Sequence, residues 1–529
     1  MLVRNLERPF SVRVAVWCLV IVTIAITRLT FLQETVPLAE FSDDGEYMHL
    51  AENILSGHSY SDLGLVVDPD FVRPREEMRS AYPIGYPLVI AALWSVFGHS
   101  IFVLKILNVL SVLAAMVPIS LLVGELAGDA TIGLVLSVLW FVSPITIESA
   151  EMVQSDLPFV AAVFWFLYFW ELLLRNSASN RKNASALAGL GVALFAVVTI
   201  RSVGIALFPA ILAHETWSRR KLPVSSAIVC AIAALLLTVL SHLVPRPGPG
   251  YLGAFHGMSL HAFAQSVIDN VQGERWKFAL AVDPGFGGGK IGTVLGTALL
   301  VLAAIGTVCC LIHRAAAVVF FFIFYVLIVA IFPDNAAWAR YLLPVIPLVF
   351  GLAIVGVKAL SRHRSGAATA AIWLLIGGLT MSALGAAVRS PLWRPVRIGY
   401  PIAATQGLLN AVKARTAPHD TVAFFYPYLI TMYAERPTLR IWPQQVQEMT
   451  PKDLVCRYTE LGVKYVVLKT SKAQTVTQFY SWDHSDEAFE HRVISAIPSA
   501  FDSVYRNRDY ELYRLRASTS HCAATQPRA

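Results

Sequence analysis

Three acids fall within four residues in Phe41-Ser42-Asp43-Asp44-Gly45-Glu46-Tyr47, in a chain where only 15% of residues are charged. The stretch follows the first long apolar run, and ionised carboxylates beside hydrocarbon are costly unless they have a partner or a task. A placed carboxylate can take the proton of a hydroxyl as a general base. Ser42 can also cap a helix whose first turn holds the acids, which suits the helix dipole. Capping uses only one acid, so the two readings are compatible. Tyr47, Leu50, Ala51, Ile54 and Leu55 then line one face of an amphipathic helix at a membrane surface. A second acidic stretch runs from Glu148 through Glu151 to Asp156-Leu157-Pro158. Asp156 opens an apolar run, where a cap is the simpler reading and Pro158 supports it. Opposite charge comes from Arg79, Arg201 and Arg340. A guanidinium suits bidentate recognition of phosphate, although any one of the three could simply snorkel to an interface. Tyr82 and Tyr86, in Tyr82-Pro83-Ile84-Gly85-Tyr86-Pro87, add aromatic edges beside Arg79 and equally fit an interfacial belt. Asp283-Pro284-Gly285-Phe286-Gly287-Gly288-Gly289-Lys290 lacks the spacing of a phosphate loop and reads as a turn. His49, His58, His256 and His261 have no metal-ligand spacing, and no nucleophile elbow is present.

These residues lie far apart in the chain, so a frame must gather them. The 529 residues are 56% hydrophobic with a mean hydropathy of +0.59, which points to a polytopic membrane protein. Apolar runs near spanning length lie at 14–33, 101–123, 129–147, 157–175, 184–199, 203–216, 223–244, 291–312, 315–332, 340–358 and 366–388, about eleven spans. The short runs 184–199 and 203–216 read as a broken helical hairpin or two short spans. Residues 84–98, with Pro83, Gly85 and Pro87, read as interfacial or re-entrant. The net charge of +7 is spread in short basic clusters between the runs, which excludes a nucleic-acid face and fits the positive-inside pattern. With the N-terminus in the cytoplasm, Arg175, Arg181 and Lys182; Arg219, Arg220 and Lys221; His313 and Arg314; and Lys358, Arg362 and Arg364 all fall on the cytoplasmic side. Asp43, Asp44, Arg79, Glu148, Asp156, Arg201 and Arg340 then share the opposite rim. From about residue 391 the composition turns polar. Strand-like runs such as Thr421–Phe425 and Lys464–Leu468 alternate with helical stretches, which predicts a small α/β domain. The expected architecture is therefore mostly α: a transmembrane module over 1–390 and an extracytoplasmic α/β domain over 391–529. Six cysteines are too few for a disulfide framework; a Cys456–Cys522 bond in the tail is an open alternative.

Taken in order, these motifs resemble the polytopic GT-C glycosyltransferases, and most of all the protein O-mannosyltransferase-like group that includes the lipid A aminoarabinose transferases. Asp43-Asp44-Gly45-Glu46-Tyr47 with Ala51-Glu52-Asn53-Ile54-Leu55 is similar to the family's first-loop acidic motif. Arg79 with Tyr82-Pro83-Ile84-Gly85-Tyr86-Pro87-Leu88 is similar to its basic residue and Gly-Tyr-Pro segment. Gln154-Ser155-Asp156-Leu157-Pro158-Phe159 resembles the second acidic motif, and Arg340-Tyr341-Leu342-Leu343-Pro344-Val345-Ile346-Pro347 the late Arg-Tyr-Leu segment. The likeness covers roughly residues 1–390. It implies inverting transfer of a sugar from a polyprenyl-phosphate donor to an extracytoplasmic glycan, lipid or protein at a bacterial-type inner membrane. Asp43 would be the base, and Asp44 and Asp156 would orient the acceptor. Arg79, Arg201 and Arg340, with Tyr341, would hold the donor phosphate, and Tyr82, Tyr86 and Glu148 would line the substrate site. No cofactor is required, although Asp43 and Asp44 could ligate a divalent metal. The partners implied are the donor, membrane lipid and the acceptor.

Two other classes fit parts of the pattern. A lipid-linked saccharide flippase would place ionisable residues at mid-bilayer. An O-antigen ligase or polymerase would carry catalytic Arg or His in a large outer loop and need Asp43 less.

Overall fold

The apolar runs from residue 101 onward are helices in the computed structural model. It describes residues 22–23, 26, 29, 32, 34–37, 43–58, 60, 65–66, 82–175, 182–244, 258–282, 290–313, 316–332, 339–361, 365–389, 399–400, 402–440, 449–470 and 494–516. Most of the run at 14–33, Ser42, Arg79, the glycine turn at 283–289 and Cys522 lie outside the described residues.

A two-residue strand, β1 (Val36–Pro37), precedes α1 (Asp43–Leu55), the helix that carries the acidic pair, and β2 (Leu65–Val66) follows. The Pro-rich stretch forms α2 (Gly85–Phe97), ended by Gly98 at φ 71°. The bundle comprises α3 (Ile101–Ala127), α4 (Ala130–Phe141), the short α5 (Pro144–Ala150), α6 (Asp156–Arg175), α7 (Lys182–Ile200), α8 (Leu207–Arg219) and α9 (Val224–Leu243). It continues with α10 (Leu260–Val282), α11 (Lys290–His313), α12 (Ala317–Ile331), α13 (Ile346–Leu360) and α14 (Ser365–Arg389). Four of the described helices (α3, α6, α9 and 294–313 within α11) are by themselves long and apolar enough to cross a membrane, and six apolar helices are shorter. The hairpin at 184–216 is broken at Arg201, where a 3-10 turn at Ser202–Ala206 joins α7 to α8. A second 3-10 turn, Ala339–Leu342, presents Arg340 ahead of α13.

Local chemistry explains the boundaries. Gly128 takes the left-handed conformation that closes α3, and Asp129 caps α4 by accepting the amides of Thr131 and Ile132. Helices α11 and α13 touch through Gly306 and Gly356. A Cβ at Gly306 would lie 1.9 Å from the Leu352 carbonyl oxygen, and one at Gly356 would lie 2.1 Å from that of Leu302. Small residues at a helix crossing allow this backbone approach.

The tail holds β3 (Gly399–Tyr400), α15 (Ala403–Arg415), β4 (Thr421–Phe424), α16 (Pro427–Ala434), β5 (Thr438–Arg440), α17 (Pro451–Glu460), β6 (Val463–Lys469), β7 (Phe501–Arg506) and β8 (Tyr510–Leu515). Thr450 caps α17 by accepting the Asp453 amide. The sheet order is β2-β5-β4-β6-β8-β7, parallel from β2 to β6 and antiparallel through β8 and β7. Its edge strand β2 comes from the first loop, and β1 pairs antiparallel with β3. The first loop is thus stitched to the tail at two places. The bundle has its own apolar core. A second core joins Tyr47, Met48 and Ala51 of α1 and Tyr86 and Ile90 of α2 to Leu408, Phe424, Tyr428 and Leu429 of the tail.

Candidate active site

Helix α1 begins with Asp43, Asp44 and Glu46 in its first turn. All three side chains are buried, Asp44 completely. Positive helix dipole ends favour carboxylates there, but burial demands specific partners as well. Asp43 pairs with Arg340 of the 3-10 turn. Asp44 Oδ2 accepts the Val153 amide at 2.8 Å. Asp156, at the start of α6, pairs with Arg201 at the break between α7 and α8. The Tyr341 ring lies within cation–π reach of both arginines, 4.7 Å from the Arg201 guanidinium and 5.8 Å from that of Arg340.

The tyrosines complete this rim. Tyr47 meets Tyr82 and Tyr86 edge to face, each at 5.0 Å, and its hydroxyl lies 2.9 Å from Ser155 Oγ. Tyr86 is placed by its neighbour. A Cβ on Gly85 would lie 2.6 Å from the Thr199 carbonyl carbon and oxygen and 2.8 Å from the Ile200 nitrogen. Only glycine lets α2 sit on the end of α7, one residue from Arg201. The 3-10 turn is held from behind: Tyr325 donates to the Tyr341 carbonyl at 2.9 Å and Trp140 Nε1 to that of Leu343 at 3.1 Å.

Asp43, Asp44, Asp156, Arg201, Arg340, Tyr341, Tyr82 and Tyr86 therefore come together from five separate stretches of chain. Glu148 is buried on α5, which packs against the Arg340 turn. Sequence reasoning assigned no role to Lys105. Its ammonium donates to Glu151 Oε2 at 3.0 Å and to the Thr35 carbonyl at 2.9 Å, and it is buried. The signal was a lone lysine near the start of an apolar run. Asn108, one turn on, donates to the Met152 carbonyl. Lys105 and Asn108 thereby fix the 151–153 segment that Asp44 grips from the other side.

Burial raises the Asp44 carboxyl to about 7, helped by the charge on Asp43 and opposed by the Val153 amide, Gln154 and Arg340. For Arg201, burial works against the charge but Asp156 outweighs it, so the group is held more firmly protonated than usual. The acidic pair is a poor metal ligand as arranged: a guanidinium already sits on Asp43, and an amide on Asp44. Among the described residues no three His, Cys, Asp or Glu side chains gather as ligands.

In the four helices long and apolar enough to cross a membrane, charge lies near the ends. Helix α6 starts with Asp156 and reaches Glu171 only after fifteen residues, about 22 Å of helix. At that far end Glu171 Oε1 accepts the Ala317 amide at 2.6 Å, and Glu215 Oε2 accepts the Ser226 amide at 2.7 Å. Both acids cap helices.

A profile of the dolichyl-phosphate-mannose-protein mannosyltransferase family matches residues 81–244, which include Tyr82, Tyr86, Glu148, Asp156 and Arg201. Among curated proteins, no match was found. Solved structures are similar over most of the chain. ArnT from Cupriavidus metallidurans bound to undecaprenyl phosphate superposes with a TM-score of 0.53 at 13% identity, covering 96% of this chain and 98% of that one. An Archaeoglobus fulgidus oligosaccharyltransferase in complex with Zn and sulfate gives 0.56 at 14%, over 85% of this chain and 67% of that one. The arabinofuranosyltransferase AftD from Mycobacteria gives 0.52 at 13%, over 96% of this chain but only 42% of that one. The chain therefore shares the fold of these solved glycosyltransferase structures, and its residues 81–244 match the mannosyltransferase profile.

Proposed function

We propose that the chain is an integral-membrane glycosyltransferase that moves a sugar from a polyprenyl-phosphate donor to an extracytoplasmic acceptor in one inverting displacement. The observation that carries this reading is the pairing of Asp43 with Arg340 and of Asp156 with Arg201 in one buried rim. Acids suited to proton transfer and cations suited to phosphate are already in contact. Arg340 and Arg201, with Tyr341 between them, receive the donor phosphate, which competes with the carboxylates for the guanidinium groups. As Arg340 turns to the phosphate, Asp43 is released to accept the proton of the acceptor hydroxyl. The acceptor oxygen bonds to the anomeric carbon while the bond from that carbon to the phosphate oxygen breaks. The electron pair leaves with the lipid phosphate, whose growing charge the arginines stabilise. Asp44 and Asp156 border the reacting centre.

Supporting the donor class, one structurally similar protein is bound to undecaprenyl phosphate and another, an archaeal oligosaccharyltransferase, to dolichol-phosphate with an inhibitory peptide. The basic residues Arg175 and Arg219 end helices whose other ends lie beside Asp156 and Arg201, which supports a cytoplasmic N-terminus and an extracytoplasmic site. Cys456 in the tail is disulfide-bonded, which fits an oxidising compartment outside the cytoplasm. The catalytic module spans 1–390 and the tail 391–529, in a bacterial-type inner membrane. Ionisable residues at helix ends rather than mid-helix favour surface chemistry over a flippase.

The test is turnover of purified protein on a panel of polyprenyl-phosphate sugars, read as released lipid phosphate by mass spectrometry. Asp43→Asn should lower turnover by roughly 10²–10⁴-fold while the protein still folds, as read by its helical circular dichroism. Full activity in that variant would sink the base assignment.

A further inference from the structure

Among the described residues, several buried side-chain atoms at the rim have no hydrogen-bond partner: Asp44 Oδ1, Gln154 Oε1, Asp156 Oδ2 and the Tyr86 hydroxyl. They are neighbours. Asp44 Oδ2 holds the Val153 amide, and Gln154 is the next residue and hydrogen-bonds to Asp44. The Tyr86 phenol lies within electrostatic reach of the Asp44 and Asp156 carboxylates. Tyr47 in turn packs on the Tyr86 ring and contacts Ser155, between Gln154 and Asp156. Asn108 Oδ1, on the α3 side of the same segment, is a further acceptor of this kind.

Unpaired buried acceptors are unfavourable, and sites built from them reject ligands that cannot supply the missing donors. Three of these four atoms are acceptors in their ionised or amide forms, and the fourth, the Tyr86 phenol, both donates and accepts. The complementary ligand surface is a set of hydroxyl groups. An anionic substituent there would face Asp44 and Asp156 and be repelled.

We propose that Asp44, Tyr86, Gln154 and Asp156 form the subsite for the donor's sugar ring, and that it takes a neutral sugar presenting free hydroxyls. This rests on the proposed reading of the site, because the subsite is donor-facing only if Arg201 and Arg340 hold the phosphate. Asp44 follows Asp43, the partner of Arg340, and Asp156 pairs with Arg201, so a ring bonded to that phosphate lies beside these four residues. Gln154 is thereby a specificity-determining residue, and Tyr86 binds through its hydroxyl rather than only through its ring.

The experiment is equilibrium binding of purified full-length protein to bare undecaprenyl phosphate and to undecaprenyl-phosphate hexoses and pentoses, including glucose and its uronate, glucuronate. Wild type should bind the tightest neutral sugar lipid at least tenfold better than the bare lipid, and the glucuronate lipid at least tenfold worse than the glucose lipid. Gln154→Leu and Tyr86→Phe should each weaken the tightest sugar lipid by roughly tenfold and leave the bare lipid unchanged. Tyr86→Phe keeps the ring packing, so it reports on the hydroxyl even if Gln154→Leu disturbs the segment. Equal weakening of both lipids would make these residues structural and overturn the subsite. Unchanged sugar-lipid binding with a raised acceptor KM would overturn it too, by moving the subsite to the acceptor. Equal binding of glucose and glucuronate lipids would overturn the neutral-sugar class. Bare lipid failing to bind wild type would sink the reading of the site itself, whereas bare-lipid binding with no gain from any sugar would sink the subsite alone.

Discussion

Asp43 and Arg340 hold each other in the structure, so the base we propose is engaged until something displaces the guanidinium. Lipid phosphate is the natural competitor, which makes donor binding and base release one event. Asp43→Asn removes the competing charge. We expect it to bind bare undecaprenyl phosphate more tightly than wild type while losing turnover. Weaker lipid binding would mean that Asp43 orients Arg340 rather than restraining it. Asp44 behaves differently, because burial first, and then Asp43, lift its carboxyl to about 7 from an ordinary 3.8. Below 3.8 the group is protonated in both folded and unfolded chains. Between 3.8 and about 7 the folded chain keeps a proton that the unfolded chain has lost. Its stabilising contribution is therefore full at low pH and is lost as pH rises through about 7. The thermal transition of wild type should fall across that window by more than that of Asp44→Asn. Parallel pH profiles would show that the group is ionised throughout.

At the level of elements, two contacts place the rim. Gly85 brings α2 onto the end of α7 beside Arg201. Gly85→Ala must move one helix, at a cost of about 1–3 kcal/mol, and should reduce donor binding through Arg201. Gly189, on the same α7 but with nothing near its Cβ position, supplies the control: Gly189→Ala should leave both stability and binding intact or slightly improved. The second contact is Lys105 with Glu151. Lys105→Met strands a buried carboxylate and should destabilise by roughly 3–5 kcal/mol, whereas Lys105→Met with Glu151→Leu should recover much of that loss. A thermal double-mutant cycle reads the coupling; additive losses would show that the pair is not a unit.

Across the whole molecule, the tail and the first loop share strands and a core. Tyr428 of α16 is fully buried and meets His49 of α1 at 5.9 Å between ring centroids. The helix that bears Asp43 is thus clamped between bundle and tail. Tyr428→Ala should destabilise by about 3–5 kcal/mol and lower turnover, although it lies on the tail. Loss of stability with normal turnover in the surviving fold would show that the tail supports α1 without setting its position.

The helices are written locally, because spanning-length apolar runs and short basic clusters are local properties: Ile101–Ala127 and Val224–Leu243 are readable from hydropathy alone. Thr450 and the strands Thr421–Phe424 and Val463–Lys469 were equally legible, from capping chemistry and β-branched runs. The residues at Asp43, Asp156, Arg201 and Arg340 could be named in advance as unusual charges on one rim. Their pairing could not, because Asp43 and Arg340 are 297 residues apart and nothing local selects a partner at that distance. Long-range packing is what sets Asp43 on Arg340 and Asp156 on Arg201, braces Glu151 with Lys105, and adds β2 of the first loop to the tail's sheet. Asp43 and Asp44 are adjacent and chemically identical in the sequence. The packing of α1 turns one onto a guanidinium and seals the other against an amide, so two residues alike in sequence meet different partners.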